Sequence, residues 1–264
     1  MRTGRWRTIQ TASSRRVAEL RRLLIAPDRL AALSERNRVL TLTENERHYL
    51  RRVLRLRADD PVAVIDGCGH LWSARLNADA ALTLDTDPAV PAETEARPRQ
   101  QLGLAVALVR RGMDDLLRMA CELGVDRFQP LQTARCTPQA EHRPERWSSI
   151  LREAAEQCER LWQPTLHPMR SLQEWSPASP SQLAVAVTRC DQVQELSLWL
   201  ERAAAPDQDL WLVIGPEGGW TAEEMVLFEQ RQWQPVGLAP TILRTSTAGV
   251  CAAVKLSSWR QIRP

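Results

Sequence analysis

From residue 102 onward, apolar runs of four to eight residues alternate with longer stretches of mixed polarity. That alternation constrains the fold more than any other feature of the chain. The runs 102–109, 128–131, 183–187, 210–214 and 235–238 are predicted to be strands, and the stretches 113–123, 144–160, 193–204, 221–230 and 246–259 to be helices. A strand apolar at nearly every position suits burial on both faces. The segment 101–264 is therefore expected to be an α/β domain, a mainly parallel sheet covered by helices on both sides. In such sheets ligands bind beyond the carboxyl ends of the strands, so the loops that follow the strands are the place to seek chemistry.

Ahead of that segment the pattern changes. Short apolar runs at 23–25, 39–42, 61–65, 71–76 and 81–84, separated by turn sequences, predict a small β-rich domain over 21–86. Asp66-Gly67-Cys68-Gly69 suits a hairpin turn, and because no helix start follows it, a phosphate cradle is not expected there. Residues 43–57 predict a helix that opens on a Thr43/Glu46 capping box. Leu50, Val53, Leu54 and Leu56 share one stripe, while Arg51, Arg52 and Arg55 fall largely elsewhere. Either a solvated polar face or an RNA contact surface fits those arginines. The stretch 87–100 is polar, contains three prolines and has almost nothing to bury, so it is expected to be a linker. Residues 1–20 show no apolar period and are expected to be a disordered extension; an organellar transit peptide and an RNA-binding arm share their Arg- and Ser-rich composition.

The net charge of +3 hides an asymmetry: residues 1–22 carry +6 and 29–57 carry +5, whereas those after 57 total −7. A basic front and an acidic back suggest a polyanion-binding module joined to a module with another task. Lys255 is the single lysine, so guanidinium groups would meet any phosphates. No apolar run reaches the roughly 18 residues of a membrane span, and the start lacks the apolar centre of a secretory signal, so a cytoplasmic protein is expected. The six cysteines contain no C-x-x-C pair and match no zinc motif, which predicts reduced, mostly buried thiols and no bound metal.

Two stretches carry the chemistry. In LWLVIGPEGGWTAEE (210–224) an apolar strand enters the glycine loop Gly215-Pro216-Glu217-Gly218-Gly219, and a Thr221/Glu224 capping box then starts a helix. Glycines let backbone amides approach a ligand closely. With no Gly-Lys-Ser/Thr and no G-x-G-x-x-G, neither a nucleotide phosphate loop nor a dinucleotide fingerprint is present. In VGLAPTILRTSTAGV (236–250) a strand leads through Arg244 into a helix rich in small residues, where Ser246 or Thr247 would serve equally as a helix cap.

Taken together and in this order, IGPEGGWTAEE and VGLAPTILRTSTA resemble the paired cofactor loops of the RsmE family of 16S rRNA (uridine-N3)-methyltransferases, members of the SPOUT (α/β-knot) superfamily. HYLRRVLRLRADDPVAVIDGCGH is similar to a segment of the family's PUA-like domain, and GMDDLLRMACELGVDRFQPL and EAAEQCERLWQPTL to parts of its catalytic domain. The resemblance implies a SPOUT α/β trefoil-knot methyltransferase domain preceded by a small PUA-like β-barrel domain, in a homodimer. It implies S-adenosylmethionine as cofactor, held by Gly215, Glu217, Gly218 and Gly219, by Leu238, Leu243, Arg244 and Thr247, and by Thr188, with Arg189 beside it, after the strand LAVAV. Arg22, Arg51, Arg52 and Arg55 become candidate RNA-binding residues, the partner being 16S rRNA within the small ribosomal subunit.

For the reaction, Arg244 is the candidate to stabilise charge on the uracil and Glu217 the candidate base; a loop-bracing hydrogen bond is an equal role for Glu217. The chain departs from the family in having Ala239-Pro240 where a glycine and a basic or polar residue are common. It also has Arg244-Thr245-Ser246-Thr247 where Arg-x-Glu-Thr is frequent. The alternatives are a SPOUT ribose 2′-O-methyltransferase acting on tRNA or rRNA, which would share the pocket, and a non-enzymatic RNA-binding assembly factor, which need not bind the cofactor.

Overall fold

The computed structural model of the chain describes residues 20–140, 142–178, 180–190, 193–202 and 208–262. Apart from Leu20, the expected extension lies outside the described residues. The chain forms two compact units: residues up to Arg97 with Glu159–Trp162, and Pro98–Cys158 with the residues from Gln163.

The first unit contains β1 (Arg21–Leu24), α1 (Pro27–Ala31), β2 (Val39–Leu40), α2 (Glu44–His48), β3 (Pro61–Ile65), β4 (His70–Leu76), β5 (Leu82–Leu84) and β6 (Glu93–Thr94). Its sheet runs β1-β3-β4-β5-β2, with β6 also on β4; β1 is parallel to β3 and the other pairs are antiparallel. Because side chains alternate along a strand, Val62 and Val64 of β3 join Leu23, Trp72, Leu76 and Leu82 in one core. Ala63 and Ile65 meet Leu24, Leu71 and Leu161 on the other face. Burial on both faces explains why PVAVI reads as a continuous apolar run. In the turn between β3 and β4, Asp66 Oδ1 accepts the N–H groups of Cys68 and His70 at 2.7 and 3.0 Å.

Two features differ from the sequence expectation. The Thr43/Glu46 capping box forms, but α2 ends at His48 and widens into a π turn over Tyr49–Val53, closed by Leu54 N–H on the Tyr49 carbonyl at 2.9 Å. The extra residue in that turn rotates Val53 off the apolar stripe, leaving it 58% exposed while Leu50 is fully buried, and Arg55 breaks the helix with φ 57°. Of the stretch 87–100, expected to be a linker, the residues up to Arg97 pack onto the first unit through β6 and through Trp72, whose indole N–H donates to Pro88 O at 2.9 Å, while Gln100 donates to Gln208 O in the second unit at 2.8 Å. Glu159–Trp162 returns to the same unit: Leu161 O accepts the Gly69 amide at 3.0 Å, and Trp162 donates to Glu95 O at 2.9 Å.

The second unit contains β7 (Leu102–Ala107), α3 (Met113–Glu122), β8 (Arg127–Gln132), α4 (Pro144–Gln157), β9 (Thr165–Leu166), β10 (Arg170–Ser171), β11 (Ser181–Ala186), β12 (Gln194–Glu195), α5 (Leu196–Arg202), β13 (Asp209–Ile214), α6 (Ala222–Gln230), β14 (Gln234–Gly237) and α7 (Thr245–Ile262). All its strand pairs are parallel, in the order β10-β8-β7-β13-β11-β14-β12 with β9 on β8. Leu102, Leu104, Val106, Leu210 and Leu212 pack under α3, α4, α5 and α7. Ala105, Trp211 and Val213 face a second core built on Trp175, Phe228 and Trp233. Both faces are buried, as the uninterrupted apolar strands require, and each large side chain buried there contributes about 1.5–3 kcal/mol. Near the end of α7, Arg260 pairs with Asp126 and donates to Gly124 O at 2.7 Å, fixing the helix to the turn before β8.

The cysteines in the described residues are free thiols, but Cys121 alone is fully buried and Cys68 and Cys190 are exposed, against the expectation of mostly buried thiols. No described helix is long and apolar enough to cross a membrane.

Candidate active site

Parallel pairing in the order β13-β11-β14 sets the carboxyl ends of three strands side by side. The loops leaving them, after Ala186, Ile214 and Gly237, enclose a cavity of about 250 Å³. Its wall combines backbone and polar groups of Thr188, Gly215 and Glu217 with apolar Ile214, Leu238 and Leu243.

The central loop is braced from several directions. Thr221 and Glu224 form the predicted capping box, which starts α6 directly behind the glycines. Glu224 is buried, and its carboxylate accepts the N–H groups of Thr221 and of Ala134, both at 2.9 Å. Arg135, in the loop after β8, donates to Gly218 O at 3.0 Å and Trp220 O at 3.1 Å. Trp220 lies against Gly215, where an added Cβ would sit 2.9 Å from the indole, and its N–H donates to Ala186 O at 2.9 Å. Glycine at 215 is thus required by the close approach of the ring. Thr245, 3% exposed, donates its hydroxyl to Gly215 O at 2.8 Å and ties the start of α7 to the same loop.

Of the residues singled out in the sequence, Thr188, Gly215, Glu217, Gly219, Leu238 and Leu243 line the cavity. Gly218, Arg244 and Thr247 are not among its lining residues. Gly218 faces Arg135 instead, Arg244 is exposed just before α7, and Arg189 is exposed with φ 58°. Helix geometry explains Thr247: residues 245 and 248 share a face and line the cavity, whereas 247 is about 200° round from 245 and exposed. Sequence reasoning favoured the neighbouring hydroxyls and missed Thr245; it also missed Trp220, Ile242 and the brace Arg135. The tryptophan directly after the double glycine was the signal available for Trp220.

In the first unit, Arg22 is buried rather than presented to RNA. It donates to Glu159 O at 2.6 Å and to the Glu159 carboxylate at 3.1 Å, which gives it a structural role in place of the RNA contact expected of it. Arg51 donates to Asn77 O and Ala78 O at 2.7 and 3.0 Å, and Arg52 and Arg55 are exposed. Among the described residues no group of His, Cys, Asp and Glu is arranged to hold a metal ion.

Residues 96–257 match the model of an RNA methyltransferase domain, and residues 42–82 that of an RNA methyltransferase PUA domain. A Synechocystis protein named ribosomal RNA small subunit methyltransferase E is 35% identical over 255 residues, covering 95% of this chain and 81% of that protein. The chain belongs to the RsmE family. A Rickettsia conorii protein of the same name is 26% identical over 85% of this chain and 91% of its own length. The crystal structure of the Neisseria gonorrhoeae ribosomal RNA small subunit methyltransferase E, bound to S-adenosyl methionine, superposes with a TM-score of 0.75 at 26% identity, covering 91% of this chain and 98% of that one. A Legionella pneumophila methyltransferase structure shares the fold, with a TM-score of 0.76 at 22% identity. RsmE architecture thus accounts for both units: a PUA-like domain first, and a SPOUT-type α/β RNA methyltransferase domain after it.

Proposed function

We propose that this RsmE-family chain uses S-adenosylmethionine to methylate N3 of a uridine in 16S rRNA of the small ribosomal subunit, working in the cytoplasm as a homodimer with a trefoil-knotted catalytic domain. The observation that carries the reading is the convergence of three loops on one cavity at the carboxyl edge of a parallel sheet. The cofactor seen in the Neisseria relative and the names of the curated relatives support it.

The residues present fit that cofactor. Apolar Ile214, Leu238, Ile242 and Leu243 suit the adenine heterocycle, and a Cβ at Gly219 would meet nothing within 4 Å, so space is open beside the glycine loop. S-adenosylmethionine supplies a methyl group already activated on a sulfonium, so the protein contributes chiefly positioning. Gly215 and the flanking loops hold the donor. Glu217, exposed and on the cavity wall, accepts the imide proton of the uracil. Arg244, exposed one residue before α7 and outside the cavity lining, is assigned to stabilise the charge that develops on the uracil oxygens once RNA is bound. Arg51, Arg52 and Arg55 contribute phosphate contacts from the PUA-like unit.

Mass spectrometry of 16S rRNA nucleosides from cells with and without the protein tests this reading. Loss of 3-methyluridine is the expected result. Loss of a ribose-methylated nucleoside would transfer the same pocket to 2′-O chemistry, and an unchanged profile would contradict the assignment to this RNA.

A further inference from the structure

A second cavity, of about 570 Å³, opens at the carboxyl end of β7. Arg110, Arg111, Gly112 and Gln139 line it together with Asp114 and Trp147. β7 is hydrogen-bonded to β13, so this cavity lies on the same edge of the sheet as the methyltransferase site, one strand over. Gly112, on the wall of this second cavity, lies close to the first turn of α7. A Cβ built on Gly112 would sit 3.1 Å from both Cβ and Oγ of Ser246, and the preceding residue, Thr245, lines the active-site cavity.

The charges here are unevenly satisfied. Asp114 is held by Arg146 at 2.5 Å and by the Trp147 indole N–H at 3.2 Å, and Asp115 by Arg118 at 3.7 Å. Arg110 and Arg111 are exposed and make no ion pair among the described residues. Gly112, with φ 94°, starts the ten-residue helix α3 without a side-chain cap. Two arginines adjacent in sequence and without carboxylate partners among the described residues, lining a polar cavity beside the reaction site, suit a phosphate by charge and by donor chemistry, since a phosphate accepts paired N–H groups from a guanidinium fork.

We propose that Arg110 and Arg111 grip a backbone phosphate next to the target nucleotide, and that the Gly112–Ser246 contact fixes the distance between this grip and the methyl-transfer cavity. This rests on the function proposed above and adds a substrate subsite to it. Such a contact sets the position of the RNA and reads no sequence.

The test compares wild type with R110A/R111A and R110K/R111K in the full chain. Three quantities are measured: S-adenosylmethionine affinity, the salt dependence of binding to small ribosomal subunits lacking the modification, and the kinetics of methylation. The alanine pair is expected to keep wild-type cofactor affinity, to raise KM for subunits about tenfold, and to lower the slope of log K against log salt by roughly 0.7–0.9 for the lost phosphate contact. The lysine pair, which keeps the charge and loses the fork, should recover the slope and only part of the binding. An unchanged slope and KM in the alanine pair would overturn the proposal. So would equal losses in both pairs accompanied by weakened cofactor binding, which would mark a structural role. Failure of the underlying function would appear in the wild type as absent cofactor uptake or methyl transfer; the salt slope would still test the phosphate grip.

Discussion

Replacing Thr245 with valine isolates the bond that joins the glycine loop to the start of α7. Valine keeps the shape of threonine and removes the hydroxyl, so the 2.8 Å bond to Gly215 O is lost with little change in packing at a site only 3% exposed. Gly215 is half-buried, so about 1–3 kcal/mol, the cost of a buried carbonyl left without its donor, is the upper range for this loss. In a protein of this size each kcal/mol lowers the melting midpoint by roughly 2–4 °C, so a drop of several degrees is expected. If half of a mid-range penalty falls on the loop conformation that binds, S-adenosylmethionine affinity falls by roughly fivefold, since about 1.4 kcal/mol corresponds to a factor of ten. Differential scanning calorimetry and equilibrium dialysis read the two effects separately. Thr245→Ser, which retains the hydroxyl, should restore most of the affinity. A valine variant with the wild-type midpoint and wild-type affinity would refute the reasoning, because the bond would then organise nothing.

Three further substitutions test other parts of the account. Arg135→Ala removes the donor to Gly218 O and Trp220 O from an exposed side chain, so cofactor affinity should fall several-fold while the melting midpoint moves by no more than about 2 °C; a loss confined to stability would contradict a role in bracing the loop. Gly103→Ala places a Cβ 2.3 Å from the Trp211 ring between two central strands, and urea denaturation should show a cost of at least about 1–3 kcal/mol, whereas a neutral result would mean that this core is looser than its geometry. Burial, aided by the Arg127 charge, holds the His167 imidazole below its ordinary value of 6.5. The unfolded chain therefore takes up this proton at higher pH than the folded chain does, and the His167 contribution to stability, complete above about pH 6.5, is lost as the pH falls through the lower folded value. His167→Gln should flatten the dependence of the urea midpoint on pH between 7 and 5, and an equally steep profile would remove His167 from the explanation.

The parallel sheet was readable because both of its faces are covered, so its central strands are apolar at almost every position; β7 is buried from end to end. The capping boxes at Thr43 and Thr221 were readable because a hydroxyl and a carboxylate three residues apart carry their own geometry. Of the five two-residue strands among the described residues, β6, β9, β10 and β12 were not, since so short a segment has no period and is defined by its partner; β2 was, because it lies in the longer apolar run 39–42. The π turn has no signature in the sequence, because YLRRV is compatible with an α-helix and the widening is visible only in the backbone. Arg22 looked like part of a basic surface until Glu159, 137 residues away, proved to be its partner. In the active site, glycine spacing located the central loop. The choice of Thr245 over Ser246 and Thr247 depended on the phase of α7 relative to the cavity, which a run of three hydroxyl residues leaves open.

Equilibrium dialysis of radiolabelled S-adenosylmethionine against the full chain and its Gly215→Val variant addresses the cofactor cavity most directly. The loop geometry predicts saturable uptake by the wild type and little or none by the variant, whose side chain would press on Trp220 at the cavity wall. A folded wild-type chain that retains no ligand, or a valine variant that retains as much as wild type, would contradict the assignment of these loops to the cofactor.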